Sequence, residues 1–478
     1  MIADPQPYPT MRDSGVSWLG AVPERWEIRR LRNAAEMRVS NVDKDAKEGE
    51  SPVRLCNYVD VYKNDRIGAS MKFMPATATA DEIERFRLRT GDVLITKDSE
   101  AWNDIGVPAL VDGSAEDLVC GYHLALLRPF EDRLLGGYLF RSMQSKGVAC
   151  QFHVEANGVT RYGLSHAAIK SIWLALPPLP EQAAIVRFLD YADRRIRRYT
   201  RAKQKLIRLL EEQKQAIIHC AVTRGLDPNV RLKNSGVEWL GDVPEHWEVR
   251  RNGRLFLQRN ETGFGELPIL EVSLKTGVRV RDLENAERKQ VMTDRDKYKR
   301  AAAGDIAYNM MRMWQGAVGV APTDGLISPA YVVAQPLPGT SSRYFARLFR
   351  TAVYMAEADK FSRGIVKDRN RLYWEDFKRM PSCYPPPLEQ VEIADAIEDA
   401  CCRIDAGIHR VRQEMTLLRE LRTRLIADVV TGKIDVRDVA ARLPDESEES
   451  ELLDEAEDDP AAAGPADDLE PIPEEAEA

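Results

Sequence analysis

Residues 14–27 read SGVSWLGAVPERWE and residues 235–248 read SGVEWLGDVPEHWE, so eleven of fourteen positions agree at an offset of 221. Both copies put a tryptophan in the same two frames, Trp18 with Trp239 and Trp26 with Trp247. Identity of this length at a fixed separation marks an internal duplication, which governs the fold before any local propensity does. A second landmark closes each copy: PPLPEQ at 177–182 answers PPPLEQ at 385–390, offset by 208, and the same offset carries Thr223 onto Thr431. Between the landmarks the copies share only scattered features, such as Gly91-Asp92-Val93 with Gly304-Asp305-Ile306, Gly106-Val107 with Gly319-Val320, and Tyr122 with Tyr331. Each copy is a fixed frame around a variable middle, the pattern of a protein that makes one kind of contact twice, to two different targets.

The clearest local signal follows each proline cluster. Pro180 and Pro387 stop what precedes them, and Glu181-Gln182 and Glu389-Gln390 give a helix an acidic first turn. Apolar residues then recur in steps of three and four. The first seam runs through Ile185, Leu189, Ala192, Ile196, Tyr199, Leu206, Leu210 and Ile217, and the second through Ile393, Ile397, Ala400, Ile404, Val411, Leu418, Leu421 and Leu425. Five to six heptads of this kind predict a coiled coil. Each helix ends at a glycine, Gly225 or Gly432. A rod of roughly 60 Å cannot bury its stripe alone, so the two helices are expected to pack together, antiparallel because one leads out of the first copy and the other leads back.

The variable middles read as mixed α and β. VLIT (93–96), HLALLRP (123–129) and YVVAQP (331–336) look like short strands, while GGYLFRSMQS and SSRYFARLFRTAVYMAEADKF look helical, with Ser342 as the expected cap. The fold class expected is therefore α+β: two mixed α/β domains separated by a long antiparallel two-helix coiled coil, with a pseudo-twofold repeat.

Composition narrows the class further. The chain is 44% hydrophobic and 30% charged, as globular proteins are, and no apolar run of membrane-spanning length occurs. The first residues lack the charged and apolar regions of a signal peptide. Seven cysteines, odd in number and without C-x2-C spacing, argue for a reducing cytoplasm over a disulfide framework or a zinc site. The formal charge of −8 hides a split: residues 443–478 hold sixteen acids and no bases, leaving 60 acids against 68 bases before them. A basic body with an acidic, Pro/Ala-containing tail is compatible with a nucleic-acid partner, although such a balance is ordinary for a soluble protein. The tail's composition predicts disorder, with a solubilising role favoured over DNA mimicry.

Catalytic signatures are missing from the sequence. There is no Asn/Asp-Pro-Pro-aromatic tetrapeptide, Gly432-Lys433 lacks the rest of a phosphate loop, and the six histidines are scattered. Cations on glycine-containing segments are the better candidates, since Arg pairs with guanine and Asn with adenine through two hydrogen bonds each. In the first copy these are Asn157, Thr160 and Arg161, with Lys97 just after a predicted strand; in the second they are Arg363, Lys367, Arg369 and Asn370, with Asn309 and Arg312 in the place of Lys97. As a set they occupy equivalent frames with different residues, as two readers of different half-sites would.

The frame DSGVSWLGAVPERWE (13–27), its copy, and PPLPEQ followed by a long helix resemble the specificity subunit of type I restriction–modification systems over about residues 8–438. The resemblance implies a non-catalytic subunit that binds double-stranded DNA. It further implies a split target with a fixed spacer, two docked modification (methyltransferase) subunits, and restriction subunits that cut DNA. S-adenosylmethionine, Mg and ATP are then expected only in those partners, with no cofactor or metal in this chain. On this view residues 1–12 form an N-terminal extension, 13–176 a first target-recognition domain, 177–224 the first coiled-coil helix and 225–234 a linker. Residues 235–384 form a second target-recognition domain, 385–432 the second helix, 433–442 a C-terminal link and 443–478 the acidic tail. The competing expectation is a coiled-coil scaffold that joins proteins without reading DNA sequence, and it predicts equal binding to random and target DNA. A self-sufficient methyltransferase or nuclease would need a catalytic domain for which the repeat leaves no room.

Overall fold

Strand Val93–Thr96 is buried at all four positions, and its side chains divide by parity between two cores. Val93 and Ile95 face one core, Leu94 faces the other, and the neighbouring strand does the same with Ala125 and Leu127 against Leu124 and Leu126. Two-residue periodicity thus puts apolar groups on both faces of one sheet, which is why VLIT and LALL lack the polar alternation of a half-exposed strand. The computed structural model describes residues 6–281, 295–364 and 370–444, and the expected tail from Asp445 onward lies outside them. The chain divides into two compact units, one running to Lys203 and resuming at Gln413, the other comprising Gln204–Arg412.

In unit 1 the sheet strands are β1 (Ala35–Val39), β2 (Arg66–Ile67), β3 (Val93–Thr96), β4 (Pro108–Val111) and β5 (Leu124–Pro129), in the order β1-β5-β3-β4-β2. Only the β4–β2 pair is parallel. Helices α1 (Gly136–Met143), α2 (Lys146–Glu155) and α3 (His166–Ser171) follow, and then the 46-residue helix α4 (Leu179–Arg224), which the unit boundary divides. Unit 2 repeats the plan with β6 (Phe256–Arg259), β7 (Ile306–Asn309), β8 (Val318–Val320) and β9 (Tyr331–Pro336), in the order β6-β9-β7-β8. Helices α5 (Ser342–Phe349), α6 (Ala352–Phe361), α7 (Trp374–Phe377) and the 44-residue α8 (Pro387–Val430) follow. No described helix is long and apolar enough to cross a membrane.

The segment expected to be helical from Ser341 to Phe361 is two helices. Thr351 interrupts it, capping α6 by accepting from the Tyr354 amide at 3.4 Å. Ser342 is not a cap: it is the first helical residue, and its buried hydroxyl has no partner.

The repeated motifs do the same work in each unit. Met11–Asp13 pairs with Ala21–Pro23, and Leu232–Asn234 pairs with Asp242–Pro244 in the same register. The second tryptophan of each repeat is buried, and Trp26 Nε1 donates to Glu181 Oε1 at 2.9 Å as Trp247 Nε1 does to Glu389 Oε1, whereas Trp18 is exposed and Trp239 half-buried. The adjacent glutamines clamp the same turns: Leu135 N donates to Gln182 Oε1 and Gln182 Nε2 to Pro177 O, while Ser341 N donates to Gln390 Oε1 and Gln390 Nε2 to Pro385 O. The end of α8 closes on the first motif so tightly that a Cβ on Gly432, whose φ is +71°, would lie 2.2 Å from Pro23 Cδ.

Within each unit the long helices run antiparallel. Lys203 pairs with Glu414 in unit 1, and in unit 2 Lys214 Nζ reaches Asp405 Oδ1 at 2.6 Å. Most of the expected packing residues are buried or half-buried, including Ile185, Leu189, Ile393, Ile397 and Val411. Leu206 and Leu421 are not: they are 42% and 52% exposed, as is Tyr199 at 49%. The seam instead keeps strict heptad steps through Ile196, Thr200, Lys203, Ile207, Leu210 and Lys214 on α4 and through Ile408, Val411, Met415, Leu418 and Arg422 on α8, all buried or half-buried. Lysine and arginine can occupy such positions because their methylene stems pack while their charges find carboxylates. An apolar pattern therefore favours Leu421 over its neighbour Arg422, whereas at Leu206 the seam takes the adjacent Ile207.

Candidate nucleic-acid interface

At the end of each central strand the chain carries a loop closed by one antiparallel bridge. In unit 1 Asn157 and Gly163 exchange hydrogen bonds in both directions, at 3.1 and 2.9 Å. In unit 2 Arg363 and Arg371 do so at 3.0 Å each way. Both loops follow an equivalent helix, α2 or α6, and both are stitched to the strand end: Leu164 N donates to Lys97 O at 2.9 Å and Leu372 N to Met310 O at 2.8 Å. Lys97 and Met310 stand six residues beyond Gly91 and Gly304, so the stitching is equivalent in the two copies.

The floor of the loop in unit 1 is polar and tightly connected. Asp98 Oδ2 receives His123 Nδ1 at 2.8 Å and lies 4.0 Å from Lys97 Nζ, while the Tyr122 ring sits 3.8 Å from the His123 ring. Arg161 Nη2 is 3.5 Å from the same His123 nitrogen. Lys97, Arg161 and the backbone of Asn157 thus come together, and Thr160 is exposed on the loop beside them. The Asn157 amide turns back to bond Glu155 O at 2.8 Å.

In unit 2 the candidates are more heavily engaged. Asn309 Oδ1 accepts from Met311 N at 2.9 Å, Arg312 is half-buried, and Asn370 Nδ2 reaches Asp359 Oδ1 at 3.4 Å. Arg363 pairs with the buried Asp376 while its side chain stays 68% exposed. Lys367 and Arg369 lie outside the described residues. Each of the three asparagines has one amide group committed to its own chain, so the pairing of both groups with adenine would require those local bonds to open.

Sequence reasoning passed over the aromatic side chains around the first loop. Trp102 is 53% exposed with its ring against His153, and Tyr62, stacked on Tyr58, donates to Asp104 Oδ2 at 2.7 Å, which pushes the tyrosine up to about 12. Exposed aromatics in a variable middle were the available signal, since faces of this kind stack on bases and sugars. At the other end of each central strand, away from the loop, the Gly-Asp turn holds a buried aspartate in an ion pair. Asp92 takes Arg128 from β5 at 2.7 Å, and Asp305 takes Arg259 from β6 at 2.7 Å. Among the described residues no cluster of His, Cys, Asp and Glu could hold a metal ion.

Residues 23–208 match the type I restriction modification DNA specificity domain. A putative type I restriction enzyme specificity subunit, MjaX, of Methanocaldococcus jannaschii is 25% identical over 235 residues, covering 48% of this chain; the chain spans about half, 52%, of that relative. Two solved structures share the fold along nearly their whole length. One, from work on complex assembly and conformational transition of the type I R-M system, has a TM-score of 0.62 at 15% identity, covering 86% of this chain and 98% of its own. The other, the HsdS subunit of Thermoanaerobacter tengcongensis, has a TM-score of 0.50 at 17% identity with the same coverage.

Proposed function

We propose that the chain is the DNA-recognition subunit of a type I restriction–modification complex, itself without catalytic activity. The observation that carries this is the pair of loops, 157–163 and 363–371, closed by the same bridge and stitched to the same strand end in two copies that share a frame but not a reading surface. The family match ends at residue 208, and the duplicated motif with its Trp–Glu bond extends the assignment to the second half. Each unit then reads one half of a split target. The helix pair fixes the unread spacer, and half-sites about one helical turn, ~34 Å, apart would offer both major grooves to one face of the protein. The repeated frame supplies two equivalent docking sites for two methyltransferase subunits, which bring S-adenosylmethionine; restriction subunits bring ATP hydrolysis and DNA cleavage, with Mg.

The test is co-expression with a cognate methyltransferase subunit and single-molecule sequencing of host DNA. A split motif with one spacer length, methylated only when this chain is present, is the expected result. Methylation that persists unchanged without the chain would remove the recognition role, and equal binding of the purified complex to random and target DNA would leave a scaffold.

A further inference from the structure

The floor of the first loop holds an acceptor and a donor side by side, and this pairing says what kind of group the loop takes. Among the described residues the one side-chain contact within hydrogen-bond range of the Arg161 guanidinium is His123 Nδ1. That nitrogen is closer to Asp98 Oδ2, at 2.8 against 3.5 Å, and a carboxylate only accepts, so the ring N–H is committed to Asp98. The guanidinium therefore keeps its donors for another partner. Asp98 Oδ2 is taken by His123 and faced by Lys97, whereas no described hydrogen bond reaches Asp98 Oδ1, and the side chain is 23% exposed.

The constellation is held rigidly. The backbone of Asp98 pairs with that of Gly163, two residues beyond Arg161, and the Tyr122 ring packs on His123. Gly158 allows the loop to fold over itself: its φ is +153°, and a Cβ there would lie 2.0 Å from the Arg161 carbonyl oxygen. A phosphate would find donors in Arg161 and Lys97 but has no donor for Asp98 Oδ1, so the floor suits a group that offers acceptors and a donor together. In the major groove a G·C pair does this, with guanine O6 and N7 as acceptors next to the cytosine N4 amino group.

We propose that Arg161 and Asp98 read a G·C base pair in the half-site of unit 1, Arg161 donating to guanine O6 and N7 and Asp98 Oδ1 accepting from cytosine N4. His123 is the positioning residue that orients both. The proposal rests on the DNA-recognition function above and names one base pair within it.

The experiment sequences methylated DNA from cells carrying the methyltransferase with the wild-type chain, Arg161→Ala, Arg161→Lys or Asp98→Asn, the half-site of unit 1 being the one that changes when residues 30–175 are exchanged. All three variants are expected to lower discrimination at one and the same G·C position by about ten- to a hundred-fold, leaving the other half-site and the spacer intact. Lysine keeps the charge but not the two-pronged fork, so Arg161→Lys separates base contact from phosphate contact. Should Arg161→Ala abolish methylation altogether, the shape-preserving Arg161→Lys and Asp98→Asn decide. A motif as sharp as wild type in Arg161→Lys, relaxation by Asp98→Asn at a different position, or a wild-type half-site with no G·C pair would each overturn the proposal while the recognition function stands. Methylation independent of the whole chain would overturn both.

Discussion

Trp26 reaches across 155 positions of sequence to donate its indole N–H to Glu181, a residue only 8% exposed that also receives the hydroxyl of Tyr8 at 2.5 Å. Burial and the adjacent carboxylate push the Tyr8 hydroxyl far above its usual range, so it remains a donor at any ordinary pH. Trp26→Phe shrinks a buried ring and strips one of two donors from a buried carboxylate, which is expected to cost at least about 1–3 kcal/mol in urea unfolding. Trp247→Phe should cost less, because Glu389 is more open and keeps His246 Nε2 at 2.8 Å. Equal losses in the two variants would show that the repeated tryptophans act by packing alone.

Acid should act through Asp193. Burial pushes this carboxyl up, but the hydrogen-bonded Arg422, with Arg141 and Arg197, outweighs it and holds the group at about 2. A carboxyl held below its unfolded value adds stability that is complete above the unfolded range and is lost as pH falls from about 4 towards 2. That contribution is on the order of 2 kcal/mol. Asp193→Asn should flatten the acid limb of a stability–pH curve, and at neutral pH it should cost about 3 kcal/mol by leaving arginines short of their counter-charge. An unaltered acid limb would sink this account.

Seam and surface leucines on the long helices should part company. Leu206→Ser and Leu421→Ser are expected to shift stability by no more than about 0.5 kcal/mol, since both side chains are largely exposed. Ile408→Ala and Met415→Ala, only 5% and 8% exposed, should each cost about 2–4 kcal/mol. Thermal denaturation of the four variants checks the register residue by residue.

If the helix pair sets the spacer, removing one heptad from each helix, on either side of the Lys203–Glu414 pair, shortens it by ~10 Å. The permitted spacer should contract by about 3 base pairs, or methylation should stop, while both half-sites stay the same. A methylated motif with its original spacing would rule out a ruler.

Much of this was legible in the sequence because duplication repeats its own evidence. The two strands 93–96 and 331–336, the long helices, their glycine ends and their antiparallel sense all follow from patterns that occur twice. The seam register was harder. Lys203, Lys214 and Arg422 occupy heptad positions, and the carboxylates that make them tolerable come from the other helix, out of reach of a single-helix pattern. The same limit hid the Asp98–His123–Arg161 cluster. Its members lie 25 and 38 positions apart and meet only because β3, β5 and the loop after α2 end at one edge.

The copies have also drifted apart in a way that restricts how they can be recombined. At the offset of 208, Asp193 corresponds to Cys401 and Arg422 to Lys214, so the carboxylate at the centre of the first junction has no counterpart in the second. A crossover between the two repeats within 14–27 and 235–248 would preserve the Trp–Glu bond and the strand pairing of the frame, because these are the same in both copies. A crossover inside the helices, beyond residue 190, would graft Cys401 onto the arginines of the first junction or carry Asp193 away from them. Gene-level shuffling of the variable middles is thus expected to be tolerated at the repeated motif and penalised within the helices, which would give the duplicated frame a reason to resist change that is independent of anything it binds.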